Sequence, residues 1–370
     1  MYANLRYKLE VNMGKKVVVG MSGGVDSSVA AFLLKNEGYD VIGVTMQIWQ
    51  EEDEESMERQ GGCCGLSAVE DARKVAEAIG IPYYVMNFRE IFRKNVIDYF
   101  VREYENGRTP NPCIACNKYV KWEALLNKSL AFGADYIATG HYARIVQCEN
   151  KRYAVKKSVT DKKDQTYALY NLTQNQLMHT MFPIGEYEKG RVREIAQQAG
   201  LPVAYKPDSQ EICFVNDNDY AGFICNYTGR NDVPGKFTDM HGNVIGNHKG
   251  ITHYTVGQRK GLGLSLKAPL YVNRLDVTNN AVILSDNEAL FSDRLLAENI
   301  NYMGITDFED GMRANVKIRY NHKGSYASLY HIENGCVLCR FDEKVRAVTP
   351  GQAMVAYDDN GIVLLGGTIS

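Results

Sequence analysis

The residues best placed to do chemistry come early. Met21-Ser22-Gly23-Gly24-Val25-Asp26-Ser27-Ser28 follows directly on the apolar run Lys16–Gly20. Adjacent glycines let a backbone come close to an anion. A helix starting there aims its first N–H groups and a partial positive charge at that anion. Ser22, Ser27 and Ser28 can add hydroxyl donors, and the chemistry this predicts is the holding of nucleotide phosphates. The segment has neither the Gly-Lys-Ser/Thr of a Walker loop nor a GxGxxG turn.

Cysteines supply the second kind of chemistry. Cys113 and Cys116 sit in Thr109-Pro-Asn-Pro-Cys-Ile-Ala-Cys-Asn117. With Asn111 as N-cap and Pro112 as first helical residue, both thiols fall in the first turns, on one face. A helix N-terminus favours thiolate, so both are candidate nucleophiles, and the dipole alone ranks Cys113 as the more acidic. Cys213, in Pro207-Asp-Ser-Gln-Glu-Ile-Cys-Phe214, is core or reactive with equal weight. An iron–sulfur site on Cys113, Cys116 and Cys213 is the competing use of the same thiols. Cys336 and Cys339 lie three apart on a strand and point to opposite faces, which suits core better than zinc. Core is also the default for Cys148 and Cys225, while Cys63 and Cys64, flanked by glycines, carry no assignment.

These residues need elements to position them. Lys16–Gly20, Val41–Met46, Tyr83–Asn87 and Ala134–Thr139 read as strands. They alternate with helices ending near Gly38, opened by a capping box at Ser67-Ala-Val-Glu70, and spanning Arg89–Glu105 and Pro112–Phe132. That alternation predicts an α/β fold, a mostly parallel Rossmann-like sheet covered on both faces. From about Gly235 short antiparallel strands take over, among them Val282–Leu284, Arg313–Tyr320, Gly335–Phe341 and Met354–Tyr357. The expected division is an α/β domain over 1–217, a small central domain over 218–292 and a C-terminal antiparallel β-barrel over 293–370.

The chain has 370 residues and a formal net charge of -2, with nine cysteines. That length predicts two or three domains, the charge excludes a uniformly basic nucleic-acid binder, and nine cysteines in so long a chain do not make a disulfide scaffold. No window approaches the roughly 20 apolar residues of a membrane span, so a cytoplasmic protein without a membrane partner is expected. Basic residues nevertheless cluster. Lys151–Lys163 has six against one acid, Met240–Leu275 has no acid, and Gly311–Ile332 has none while carrying Arg313, Lys317, Arg319 and three tyrosines. Cations interleaved with aromatics suit a polyanion with stackable bases. The acidic run Glu51–Glu58 reads as a solvated loop.

SGGVDSS after an apolar strand resembles the pyrophosphatase loop of the N-type ATP pyrophosphatases, which cleave ATP between the α and β phosphates. With GRTPNPCIACNKYVKW, ATGHYAR, KDQTYAL, DSQEICF, YTVGQRKGLG and VTPGQ following in that order, nearly the whole chain resembles the tRNA-specific 2-thiouridylases of the MnmA/TrmU type. The resemblance implies ATP-dependent 2-thiolation of the wobble uridine of tRNA, with Mg²⁺ and a sulfur donor, either a cysteine desulfurase or a persulfide relay protein. It places ATP on Gly20, Met21, Ser22, Gly23, Gly24, Val25, Asp26 and Ser27, with Met46 at the adenine and Gly140 as a further contact. Cys116 matches the nucleophile and Cys213 the persulfide carrier, and Asp26 is expected to serve adenylation. Contacts to tRNA are implied for Asn111, Pro112 and Cys113 beside the target base, and for His141, Lys163, Asp164, Gln165, Arg319, Tyr320 and Gln352. Some members carry Asp where this chain has Cys113. The competing functions are a nitrogen-transferring synthetase of the same loop class, an iron–sulfur RNA thiolase, and a nucleotide-binding sensor or RNA chaperone.

Overall fold

The computed structural model describes residues 12–48, 66–160, 163–207, 212–215, 219–265 and 268–370. Glu51–Glu58, Cys63 and Cys64 lie outside the described residues. Contacts divide the chain into two compact units, Met1–Val96 with Cys113–Phe214, and Ile97–Pro112 with Val215–Ser370.

The first unit is built on β1 (Lys16–Gly20), β2 (Asp40–Gln47), β3 (Tyr83–Asn87), β4 (Tyr136–Thr139), a hairpin of β5 (Ala143–Gln147) and β6 (Tyr153–Lys157), and the two-residue β7 (Thr180–Met181). The main sheet runs β3-β2-β1-β4-β7 with every pairing parallel. In β1, Val17, Val18 and Val19 are all buried, as a central parallel strand covered on both faces requires. Full burial stabilises by about 1.5–3 kcal/mol per valine. Val17 and Val19 share a cluster with Val29 and Leu34 of α1 (Val25–Asn36), Val75 of α2 (Leu66–Ile79) and Ile195 of the helix Lys189–Gln198. The opposite face meets the helical path from Pro112 to Ala131, where Leu125 lies against Gly20 and Trp122 Nε1 donates to Thr180 Oγ1 of β7 at 2.7 Å.

Three helical expectations need correction. The expected helix Arg89–Glu105 is α-helical over Arg89–Phe92 and Asp98–Glu105 but π-helical over Arg93–Ile97. Ser67 is the second residue of α2 and does not cap it. The helix after Pro112 is α-helical only to Ala115; Cys116–Leu125 is π-helical, and Leu126–Ala131 returns to α geometry. Gly133, at φ 76°, follows its end.

In the second unit, the helix Asp98–Glu105 joins the C-terminal part of the chain. Tyr104 stacks on Tyr220 with centroids 6.1 Å apart, and Tyr227 donates to Asp98 at 2.6 Å. Burial pushes the Tyr104 phenol up to about 12. A four-stranded sheet runs β10 (Tyr271–Asp276), β11 (Ala281–Ser285), β8 (Gly235–Thr238), β9 (Val244–His248). The strands are not all antiparallel as expected, because β11 pairs in parallel with β8. A closed barrel follows in the order β12 (Phe291–Tyr302), β15 (Cys336–Arg346), β14 (Ser325–Ile332), β13 (Met312–Lys317), β16 (Ala353–Tyr357), β17 (Val363–Ile369). Its strands reach 12 residues in β12 and 11 in β15, longer than the short strands expected. Inward alternation packs Leu295, Val316, Leu329, Phe341 and Leu365 together. Cys339 is core here, its thiol pushed up by burial, whereas Cys336, Cys148 and Cys225 are only half-buried and depart from the core default.

Candidate nucleotide and thiol site

In the order β3-β2-β1-β4-β7, successive strands are added on one side of β1 up to β3 and on the other side from β4, so the strand order reverses beside β1. The carboxyl ends of β1 and β4 flank the switch point where open α/β sheets bind ligands. The glycine loop leaves β1 there, and Gly140 leaves β4. They touch: a Cβ on Gly140 would lie 2.5 Å from Ser27 N and 2.6 Å from the Asp26 carbonyl carbon. This explains why SGGVDSS and ATGHYAR, far apart in sequence, belong to one site.

Loop geometry depends on Gly23. Its φ is 68°, and a Cβ there would lie 2.4 Å from the Ala68 carbonyl oxygen of α2, so both backbone conformation and space demand glycine. Ser28 N bonds Gly24 O at 3.3 Å to open the α1 ladder. The amides of Val25, Asp26 and Ser27 therefore sit ahead of that ladder, facing where an anion is favoured. Ser27 and Ser28 correct the expectation of three hydroxyl donors. Each hydroxyl donates to Gly24 O, at 3.1 and 2.9 Å, and Ser28 is fully buried. Ser27 Oγ also accepts from Ser22 N at 3.2 Å. Met21 and Val25 point into the core, leaving only their main chains to a ligand. Thr45 Oγ1 pins the Met21 carbonyl at 2.7 Å and receives Tyr83 OH at 2.7 Å. Met46 is half-buried within β2, which runs one residue further than expected.

Asp26 is not a lone carboxylate. Lys189 Nζ donates to both of its oxygens, at 2.8 and 2.9 Å, and Tyr142 OH donates to Oδ1 at 2.7 Å. On the loop's other side Lys206 Nζ donates to Gly23 O at 3.1 Å and Asp71 Oδ2 at 2.7 Å. Two ammonium groups thus stand beside the phosphate cradle, each matched to one acid. Sequence reasoning missed Lys189, Tyr142 and Lys206; Lys189 opens a helix and Tyr142 directly precedes β5, but Lys206 lies in a loop that carries no local signal.

Cys113 is exposed, Cys116 half-buried at the start of the π-helical segment, and Cys213 exposed. All three belong to the first unit. Among the described residues no group of three His, Cys, Asp or Glu side chains is placed to hold a metal ion. The iron–sulfur alternative on these thiols thus finds no support.

Several residues with an implied tRNA contact have inward partners. His141 is buried between Trp122 and Phe182, with Nδ1 2.7 Å from Thr139 Oγ1 and Nε2 3.4 Å from Lys121 Nζ. Burial, then the Lys121 charge, holds it well below the usual histidine range, so it is neutral. Asp164 is buried and accepts from Thr166 Oγ1 at 2.7 Å, and Gln165 Oε1 accepts from Tyr142 N at 2.9 Å. Lys163 is half-buried beside them.

In the second unit Gln352 Nε2 donates to Thr109 O at 2.7 Å, and Thr109 N donates to Pro350 O at 2.8 Å. The VTPGQ turn thus grips the irregular segment leading to Asn111 and Pro112. Gly351, at φ 88°, has Thr109 N 3.0 Å from its would-be Cβ. Arg319 Nη1 donates to Arg346 O at 2.8 Å, and Tyr320 is exposed with Lys317 over its ring. The acid-free stretch Gly311–Ile332 is less basic in space than in sequence. Asp342 of β15 pairs both oxygens with Arg313, and Asp359 accepts from Tyr326 at 3.0 Å.

A profile described as "tRNA methyl transferase HUP domain" matches residues 15–217. "tRNA methyl transferase PRC-barrel domain" matches 221–286, and "Aminomethyltransferase beta-barrel domain" matches 292–369. The chain is 62% identical over 355 residues to "tRNA-specific 2-thiouridylase MnmA" of Lachnoclostridium phytofermentans, covering 96% of this chain and 99% of that one. It is 56% identical to the protein of the same name from Clostridioides difficile, covering 96% and 98%. The protein of that name from Acetivibrio thermocellus is 58% identical, with 96% and 99% covered. At such identity over almost the full length of both chains, the protein belongs to the tRNA-specific 2-thiouridylase (MnmA) family.

Proposed function

We propose that the protein is an ATP-dependent sulfurtransferase that replaces the C2 oxygen of the wobble uridine of tRNA with sulfur. The observation that carries this reading is the meeting of the glycine loop with Gly140 at the sheet's switch point, in the unit that also bears Cys116 and Cys213. The C2 oxygen of uridine is a poor leaving group, and adenylation converts it into AMP. The uridine oxygen attacks the α phosphorus of ATP and pyrophosphate departs. The amides ahead of α1, with Lys189 and Lys206, offer fixed positive charge to that leaving group.

Asp26 is the acid within the loop itself, and its oxygens suit a hard cation once Lys189 lets go. Mg²⁺ when bound would neutralise triphosphate charge. Cys213 carries a persulfide delivered by a cysteine desulfurase or relay protein. Cys116 attacks the Cys213 sulfur, the Cys116–Cys213 disulfide forms, and hydrosulfide leaves. Hydrosulfide adds to C2, AMP departs, and an external thiol reductant restores both cysteines. The uridine reaches the site extruded from its stack, with Asn111, Pro112 and Cys113 beside it. His141, Lys163, Asp164, Gln165, Arg319, Tyr320 and Gln352 frame the tRNA, His141 and Asp164 by shaping what lies around them. Three parts divide this labour: 1–217 for chemistry, 218–292 as connector, and the barrel 293–370 toward tRNA, in the cytoplasm.

The test is mass spectrometry of tRNA nucleosides after incubation with ATP and a persulfide donor. Equal yields of 2-thiouridine and AMP are expected. Thiolation without ATP, or AMP without thiolation, overturns the reading.

A further inference from the structure

A cleft of about 310 Å³ opens in the second unit, lined among others by Thr109, Thr255, Gly257, Arg319, Arg346 and Thr349, with no acidic side chain among the described residues of its wall. It holds roughly ten waters by volume, ample for a phosphate group. Its two guanidiniums are held rather than loose. Arg346 Nε donates to Asn287 Oδ1 at 2.9 Å, its Nη2 to Gly257 O at 3.3 Å, and its guanidinium lies over the Tyr271 ring at 5.1 Å. Those bonds engage two of its five N–H donors. Arg319 is tied to the Arg346 carbonyl. Fixed guanidiniums lose little entropy on binding an anion and suit phosphate by shape. Gly257, at φ 89°, lets its turn reach the wall, where a Cβ would lie 2.8 Å from Ala347 Cβ. Thr109 and Thr255 set their hydroxyls 3.4 Å apart on the same wall.

We propose that this cleft seats a phosphodiester of the tRNA backbone next to the extruded uridine, with Arg346 and Thr255 as binding residues beside Arg319. The proposal rests on the thiolation reading above. Thr109 precedes Asn111 by two residues, a reach of at most about 7 Å of chain, so a phosphate seated here lies close to the segment assigned to the target base. Extrusion rotates a nucleotide about its own backbone, and the rotation needs a flanking phosphate held still.

The experiment uses full-length protein and tRNA carrying an uncharged methylphosphonate at either phosphate flanking the target uridine. At one of the two positions affinity falls about tenfold, the scale of a charge-assisted hydrogen bond. R346Q loses similar affinity for unmodified tRNA, with a shallower salt dependence by about 0.7 in log–log slope, and no further loss with the methylphosphonate. R346K restores the slope, which a purely structural role through Asn287 and Gly257 would not allow. Equal binding of both methylphosphonate tRNAs and unmodified tRNA by the wild-type protein overturns the proposal, even if R346Q does not fold. Wild-type protein that thiolates unmodified tRNA yet ignores the methylphosphonates refutes the cleft alone; failure to thiolate at all refutes the underlying reading.

Discussion

Lys189 reaches back from a helix start to hold both oxygens of Asp26, 163 residues earlier in the chain, at 2.8 and 2.9 Å. An ammonium so close to an anion cradle has two partners to choose between, the aspartate before ATP arrives and a phosphate afterwards. Lys189→Met should lower the rate of AMP formation about 10–100-fold, the range of a lost charge-assisted bond. Pyrophosphate release in the presence of tRNA measures it, and a rate within twofold of wild type would confine Lys189 to structure.

Cys116→Ser and Cys213→Ser should each abolish 2-thiouridine formation, since serine neither carries a persulfide nor resolves one. Cys113→Ser should retain thiolation, because the resemblance gives the nucleophile's role to Cys116. Residual 2-thiouridine from Cys213→Ser would dismiss the persulfide role.

Gly140→Ala puts a methyl group 2.5 Å from Ser27 N. The backbone there cannot swing aside as a flexible side chain would. Overpacking of this kind costs about 1–3 kcal/mol, so a lower Tm and at least a tenfold higher KM for ATP are expected. Gly24→Ala, where the nearest atom is the Ser22 hydroxyl at 3.5 Å, is the milder control.

His141, His248 and His322 are all held below the usual histidine range, chiefly by burial. A histidine whose folded pKa is depressed leaves stability intact above its unfolded value near 6.5 and removes stability as pH falls below it, because the unfolded chain binds the extra proton. The unfolding temperature should therefore fall progressively below about pH 6.5. His141→Gln should flatten part of that fall while lowering Tm at pH 8. A variant with the wild-type acid slope would show that His141 takes its proton without unfolding.

The parts legible in the sequence were those whose cause is local. The glycine loop announces itself because Gly23 must adopt positive φ where Ala68 crowds it, and an apolar strand with a following helix frames it. Pro112 as first helical residue was legible for the same reason. What was not legible depends on distant register. No pattern around Lys189 points to Asp26, and only strand pairing brings Asp342 to Arg313, so a run without acids looked more basic than it is. Ser67-Ala-Val-Glu70 has the spacing of a capping box, yet α2 already includes Leu66. Nothing in Cys116–Leu125 by composition distinguishes a π-helix from an α-helix, since both use the same helix-forming residues and differ in one extra residue per turn.

That surplus residue has a consequence for how the chain tolerates change. Ten residues with wider turns already contain the slack that a single deletion would consume by tightening to α geometry. Loss of one residue between Lys118 and Val120 would be absorbed by that tightening, leaving Trp122 and Leu125 seated under the sheet and Cys116 facing as before. The same loss just after it, in the α-helical stretch Leu126–Ala131, has no such slack. It would turn what lies on either side of the cut by about 100° relative to each other, one α-helical step.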